Sequence, residues 1–296
     1  GEKDPDFEVA GSGVNKYTYF VAHDSLSAWT RLPDISPKEI AASRSIKVLL
    51  SGDLERNLYT NPFFFGKEKH YLRAQIARIV HSTTLVPAGI MRTVEDDERA
   101  VEENTPEEGD LVMPSTHAMA DPKMWVHAEL NILKNCRTAH MEPEEPEGAE
   151  DWDADVEKKK IEAADPYEPR LKPITADEPV KLSKTSKQNA WVVRLAGDAT
   201  EYADEQIPTR TVCNGVVVVR SLTWPGAFTF YQNGQWKQIY VGNGHKYEQA
   251  TSYFPVQPPM VLEDPEEFPL GPEPTPLTEP EPDAEKPEGE EGEEDE

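Results

Sequence analysis

Cysteine is nearly missing from this chain: Cys136 and Cys213 are the only two in 296 residues. So sparse a supply excludes a disulfide-stapled scaffold and fits a reducing, cytosolic setting, in which each thiol serves as a small buried apolar side chain. Long apolar runs are missing as well. No stretch of about 18 consecutive apolar residues occurs, so no segment has the composition of a membrane-crossing helix. The opening residues Gly1-Glu2-Lys3-Asp4 lack the basic and apolar regions of a secretory leader. They also lack a methionine, from which we expect further residues to precede Gly1 in the full-length protein.

Catalytic signatures are equally thin. The segment Gly11-Ser12-Gly13-Val14-Asn15-Lys16 has glycines and a lysine but neither the spacing nor the hydroxyl residue of a phosphate-binding loop, and reads as a turn. His127-Ala128-Glu129 has the His-x-Glu spacing of zinc deaminases, yet no Pro-Cys-x-x-Cys follows it, so its imidazole is expected to hydrogen-bond within the fold. There is no His-Glu-x-x-His, no Cys-x-x-Cys and no Gly-x-Ser-x-Gly elbow. The seven histidines are scattered. His245 alone has a special setting, beside Gly244 and after Gly242, where two glycines could form an anion-binding nest or simply end a strand. We therefore expect no catalytic residue, no metal, no cofactor and no small-molecule substrate.

Positive charge is the next shortage, with 30 basic against 56 acidic side chains and a net charge of −26. Lys and Arg form no dense patch, and the acids would repel phosphate, so nucleic acid is not the expected partner. The imbalance is concentrated. Residues 95–110 hold nine acids and one base, 141–157 nine acids and no base, and 263–296 sixteen acids and one base, so these stretches carry −32 and the remainder +6. Runs of like charge with Pro and Gly bury too little apolar surface to offset the ordering entropy, about 1–2 kcal/mol per residue for the backbone alone. They read as disordered linkers and a tail, or as electrostatic arms for a basic partner.

What is present follows a simple order, helices early and strands late. Ser36-Pro37-Lys38-Glu39 is a capping box with proline at the first helical position, predicting a helix whose Ala42, Ile46, Leu49 and Leu50 share a face and whose stop is Gly52. A second helix is expected where Leu72, Ile76, Ile79 and Val80 follow helical spacing, leaving Arg73 and Arg78 off the apolar stripe, free to bind a carboxylate within the chain or across an interface. A third is expected to open at Asp121-Pro122 and carry Trp125, Val126, Leu130, Ile132 and Leu133 towards Cys136. Residues 190–195 and 216–222 have the β-branched density of strands, with Asn214-Gly215 as a turn.

The richest segment is WPGAFTFYQNGQWKQIYVGNGHKY, Trp224 to Tyr247. Asn233-Gly234 suits a type I′ turn, which needs positive φ at both central residues, so the segment reads as a hairpin that joins the preceding strands in one antiparallel sheet. The turn sets the register: Tyr231 opposite Trp236, Phe230 opposite Lys237, Phe228 opposite Ile239, Ala227 opposite Tyr240. One face then carries Phe228, Phe230, Lys237 and Ile239 and the other Tyr231, Trp236 and Tyr240. Two apolar faces imply cover by a second layer or another chain. From these residues the candidate partner contacts are Tyr231, Trp236, Tyr240, Arg73, Arg78 and His245.

This hairpin resembles the end of the radial spokehead-like family, the proteins of the radial spoke head of motile cilia and flagella. Further blocks occur in the family's order: NKYTYFV at Asn15 to Val21, WTRLPDISPKEI at Trp29 to Ile40, Ser51-Gly52, Asn61-Pro62-Phe63, YLRAQIARI at Tyr71 to Ile79 and Trp125-Val126-His127. The resemblance spans roughly Asn15 to Val261. It implies a non-enzymatic structural subunit located in the cytoplasm and cytoskeleton, in the axoneme of the cilium or flagellum. Its implied partners are a paralogous spoke-head subunit, other radial spoke head proteins and the central-pair apparatus, with signals relayed to the dynein arms. Nucleic acid and membrane are not among them. From the acidic tail alone, a chaperone-like protein that binds basic clients is the alternative. The expected fold is α+β: a flank at 1–14, a helix-containing part at 15–94, an acidic linker at 95–110, a helical segment at 111–140, an acidic and Pro-rich linker at 141–170, an antiparallel β region at 171–262 and a disordered acidic tail at 263–296.

Overall fold

The computed structural model of the chain describes residues 7–105, 113–145, 152–181, 186–203, 211–247 and 271. Gly1–Tyr253 form one compact unit and Phe254–Glu296 a second. In the second, only Gly271 is described, so the expected disorder of 263–296 lies outside the described residues.

The chain opens with a short antiparallel pair, β1 (Phe20–Val21) and β2 (Thr30–Arg31), followed by helix α1 (Pro37–Ser45). The predicted capping box is there: Glu39 N donates to Ser36 Oγ at 3.3 Å, and Ser36 N donates to Glu39 Oε2 at 2.9 Å. The helix ends at Ser45, well before Gly52, with Ile46 already extended, and Leu49 and Leu50 lie on the surface rather than in the core. Gly52 serves another purpose. Its N–H and that of Ser51 both donate to the Glu68 carboxylate at 2.8 Å, and Arg56 pairs with that carboxylate at 2.9 Å. Four donors thus compensate an acid that is 1 % exposed.

Glu68 opens α2 (Glu68–Thr83), which is buried on almost every side. Of the predicted stripe only Ile79 is fully buried, whereas Tyr71, Arg73, Ala74, Gln75, Ala77 and His81 are. The helix runs straight into β3 (Leu85–Pro87), then a hairpin of β4 (Met91–Val94) and β5 (Asp97–Glu103). The acidic stretch expected as a linker from residue 95 is therefore a strand through Glu103. Arg92 pairs with Glu102 across it, and the Arg99 guanidinium lies 3.8 Å over the Tyr167 ring and donates to Thr138 O, so cations offset the local acid density.

The expected third helix does not form. After a single 3-10 turn at Pro122–Met124, Trp125–His127 becomes β6, which pairs antiparallel with β3. That pairing needs a partner about forty residues upstream, which no local periodicity reveals. Instead, α3 (Ala154–Ala164) forms inside the predicted linker, capped by Asp153 and carrying no buried residue. A short pair follows, β7 (Val180–Lys181) with β8 (Lys187–Gln188).

The β region matches the sequence reading closely. β9 (Trp191–Ala196), a side pair of β10 (Glu201–Ala203) with β11 (Thr211–Cys213), then β12 (Val216–Ser221), β13 (Ala227–Gln232) and β14 (Gln235–Tyr240) follow in order. Four of them form one antiparallel sheet, ordered β14-β13-β12-β9. The β13–β14 register is the one the Asn233-Gly234 turn predicts, with φ of +48° and +86° at its two residues. All described strand pairs are antiparallel, giving an α+β fold. The main core lies under the sheet, where Val217, Val219, Tyr231 and Trp191 meet Leu85, Met119, Trp125 and Ile174. Both cysteines are free and buried, as expected.

Candidate assembly surface

Alternation along each strand gives the sheet two unlike faces. The inner face contains Tyr231, which is fully buried, sets its ring 6.2 Å edge-on to Trp125 and donates its hydroxyl to Pro114 O. Trp236 packs against the same core, and Tyr240 packs against Ile79, Trp224 and Ala227. These three aromatics were expected at a partner contact. Within the chain Tyr231 is buried, and Trp236 and Tyr240 are half-buried against the core.

The two arginines behave alike. Arg73 is 1 % exposed, donates to Val14 O at 2.8 Å and stacks over Tyr19 at 4.7 Å. Arg78 donates to Ser43 O at 2.7 Å and lies 5.3 Å over the Trp224 ring. Each guanidinium joins distant segments of the chain to α2, because its planar fork reaches carbonyls and ring faces at once. His245 completes that seam: its Nε2 donates to Val48 O at 2.9 Å, while its backbone N–H donates to Asn243 Oδ1. Gly244 N donates to Tyr240 Oη at 2.8 Å, so the glycine turn is tied to its own strand. The structure brings Arg78, Tyr240 and His245 to the contact between sheet and α2, places Tyr231 and Trp236 in the main core, and puts Arg73 at the 3-10 turn Gly13–Asn15.

An open cleft of about 980 Å³ runs beside this seam, lined among others by His81, His127, Glu129, Arg170, Asp177 and Trp191. Two of its acids, Asp177 and Glu129, are held by internal partners. Asp177 accepts from His127 Nε2 at 2.8 Å, from Trp191 Nε1 at 2.7 Å and from Lys172 at 3.1 Å. Burial alone would push its carboxyl up, but those donors together outweigh burial and hold it below the usual carboxylate range. Glu129 follows the same pattern, with burial opposed by Tyr17 and Lys16. Among the described residues no three His, Cys, Asp or Glu side chains converge as metal ligands.

The outer sheet face is different. Phe228 and Phe230 stack with centroids 6.1 Å apart, half-buried, and Ile239 is 51 % exposed beside them. A second exposed cluster lies at Tyr59, Phe63 and Phe65, where the two phenylalanines meet edge-on at 5.0 Å. The sequence names the outer pair as one of two apolar faces but offers no means of telling which faces inward.

These features define a mixed α+β body with one apolar sheet face left uncovered among the described residues. The chain belongs to the radial spokehead-like protein family, whose model matches residues 2–286. It is 32 % identical over 289 residues to mouse radial spoke head protein 6 homolog A, covering 92 % of this chain and 37 % of that protein. It is 30 % identical to human radial spoke head protein 4 homolog A, covering 92 % and 37 %, and 32 % identical to flagellar radial spoke protein 4 of Chlamydomonas reinhardtii, covering 87 % and 50 %. The chain thus spans between about a third and half the length of these relatives. Radial spoke head proteins are structural, non-enzymatic components of the axoneme in cilia and flagella. No helix of the described residues is long and apolar enough to cross a membrane.

Proposed function

We propose that this chain is a structural, non-enzymatic subunit of the radial spoke head in motile cilia or flagella. It packs beside a paralogous subunit and other spoke-head proteins, meets the central-pair apparatus, and helps relay mechanical signals to the dynein arms. The observation that carries this reading is the family match over residues 2–286, which takes in both the helical part and the β region rather than one motif. The chemistry is consistent with it: Asp177 and Glu129 in the cleft are spent on internal bonds, and apolar side chains are left at the surface. The test is co-sedimentation of the tagged chain with axonemes from ciliated cells. Retention through the salt wash that strips loosely bound proteins is expected, and recovery only in the soluble ciliary matrix would overturn the reading. Deleting 263–296 should leave that retention intact, whereas an acidic chaperone would lose its clients.

A further inference from the structure

The outer face of the four-stranded sheet pairs its apolar centre with cations of a single sign. Cross-strand neighbours place Lys237 opposite Phe230, Ile239 opposite Phe228, Arg220 opposite Phe228 on the other side, and Arg194 opposite Val218. Arg194, Arg220 and Lys237 are all exposed, and none makes a hydrogen bond or ion pair among the described residues. No carboxylate shares the face. Elsewhere on the surface, Lys67 and Lys69 pair with Glu55 and Arg92 pairs with Glu102. What distinguishes Arg194, Arg220 and Lys237 is their place: they surround a stacked phenylalanine pair on a face with no carboxylate.

Resting on the spoke-head reading, we propose that this face docks the surface of a different subunit, one with an apolar centre rimmed by Asp and Glu side chains. Charge decides the occupant. A second copy applying the same face through a two-fold axis would bring arginine and lysine onto arginine and lysine, which like-charge repulsion disfavours. A polyphosphate chain would neutralise the cations and leave Phe228 and Phe230 in water. A carboxylate rim satisfies both parts, because each guanidinium can take a carboxylate bidentately while the rings lose water against the apolar centre. The rim cations then set register and partner choice, and the rings supply the contact area.

The experiment uses the full chain in intact axonemes. Carbodiimide joins the Lys237 amine only to a carboxylate, so the expected product is an amide between Lys237 and an Asp or Glu of another protein. In parallel, the Arg194→Glu, Arg220→Glu, Lys237→Glu triple variant should fall about tenfold or more in axonemal retention while its purified form keeps a native circular dichroism spectrum. Lys237 coupled only to this chain, its own copy included, overturns the proposal. So does a triple variant retained like the unmodified chain, and in that case the spoke-head reading stands. If the unmodified chain is not retained at all, the spoke-head reading falls and the docking face falls with it. The cross-link needs no mutation, so a variant that misfolds still leaves a decisive result.

Discussion

A single methyl group tests the tightest point of the sheet. Gly226 has φ +104°, and a Cβ there would sit 2.2 Å from Val241 O, inside the backbone of the strand end that packs against it. Gly244 also has positive φ, +76°, but its nearest neighbour would be Gln75 Cβ at 3.9 Å. Backbone strain alone costs about 1–2 kcal/mol for a residue with a side chain in the left-handed region. Gly244→Ala should therefore lower stability by about that amount, and Gly226→Ala by roughly 3 kcal/mol or more, since a backbone clash is added to the strain. Urea midpoints of the two variants check the ranking. A second residue-level outcome concerns acid. Because the Asp177 carboxyl titrates lower in the folded chain than its ordinary value of 3.8, its stabilising contribution is fully present above that value and is lost as pH falls through the depressed one. Asp177→Asn should be less stable than the parent at pH 7, and the gap should narrow below about pH 3.8. Thermal unfolding of both proteins at pH 7 and pH 3 measures it.

At the scale of elements, Arg99 ties the β4–β5 hairpin to the rest of the body by spanning Tyr167 and Thr138. Arg99→Ala removes a cation–π contact and a charge-assisted hydrogen bond, together about 1–2 kcal/mol, so amide exchange across Asp97–Glu103 should quicken about tenfold. Unchanged exchange would mean that the strand pairing alone holds the hairpin. The elements legible in the sequence are the ones whose signals are local. Ser36 and Glu39 cap α1 within one turn, and Asn233-Gly234 fixes the register of β13 and β14 by itself. Elements set by distant partners were not legible. Trp125–His127 reads as helix until Leu85–Pro87 is beside it, and Gly52 reads as a helix stop until Glu68 claims its amide. Arg73 reads as a guanidinium for a carboxylate, within the chain or across an interface, because nothing nearby announces the Val14 carbonyl that it takes instead. The packing of the assembly candidates within this chain was hidden for a related reason. Both faces of the hairpin alternate apolar residues, and only Trp125 and Pro114, a hundred residues upstream, decide that Tyr231 faces inward.

For the molecule as a whole, the main core draws on segments from Leu85 to Tyr231, and the helical part contributes to it through β3, which follows α2 directly. The unit Gly1–Tyr253 should therefore unfold as one cooperative body. Far-ultraviolet circular dichroism, which follows the whole backbone, and tryptophan fluorescence, to which the core residues Trp125 and Trp191 contribute, should give coincident melting curves. Two resolved transitions would show that the helical and sheet parts are separate folding units. The bond between His245 and Val48 joins residues 197 apart in the chain, and Gln238 reaches back 153 residues to Leu85 O. On the ribosome, at about 5–20 residues per second, Val48 waits roughly 10–40 seconds before its partner is made. Throughout that interval the side of α2 destined for the hairpin has no cover. β14, the last of the described strands, is the one that sets Tyr240 against Ile79, so during translation this part of α2 stays open to other contacts until nearly all of the described body has been made.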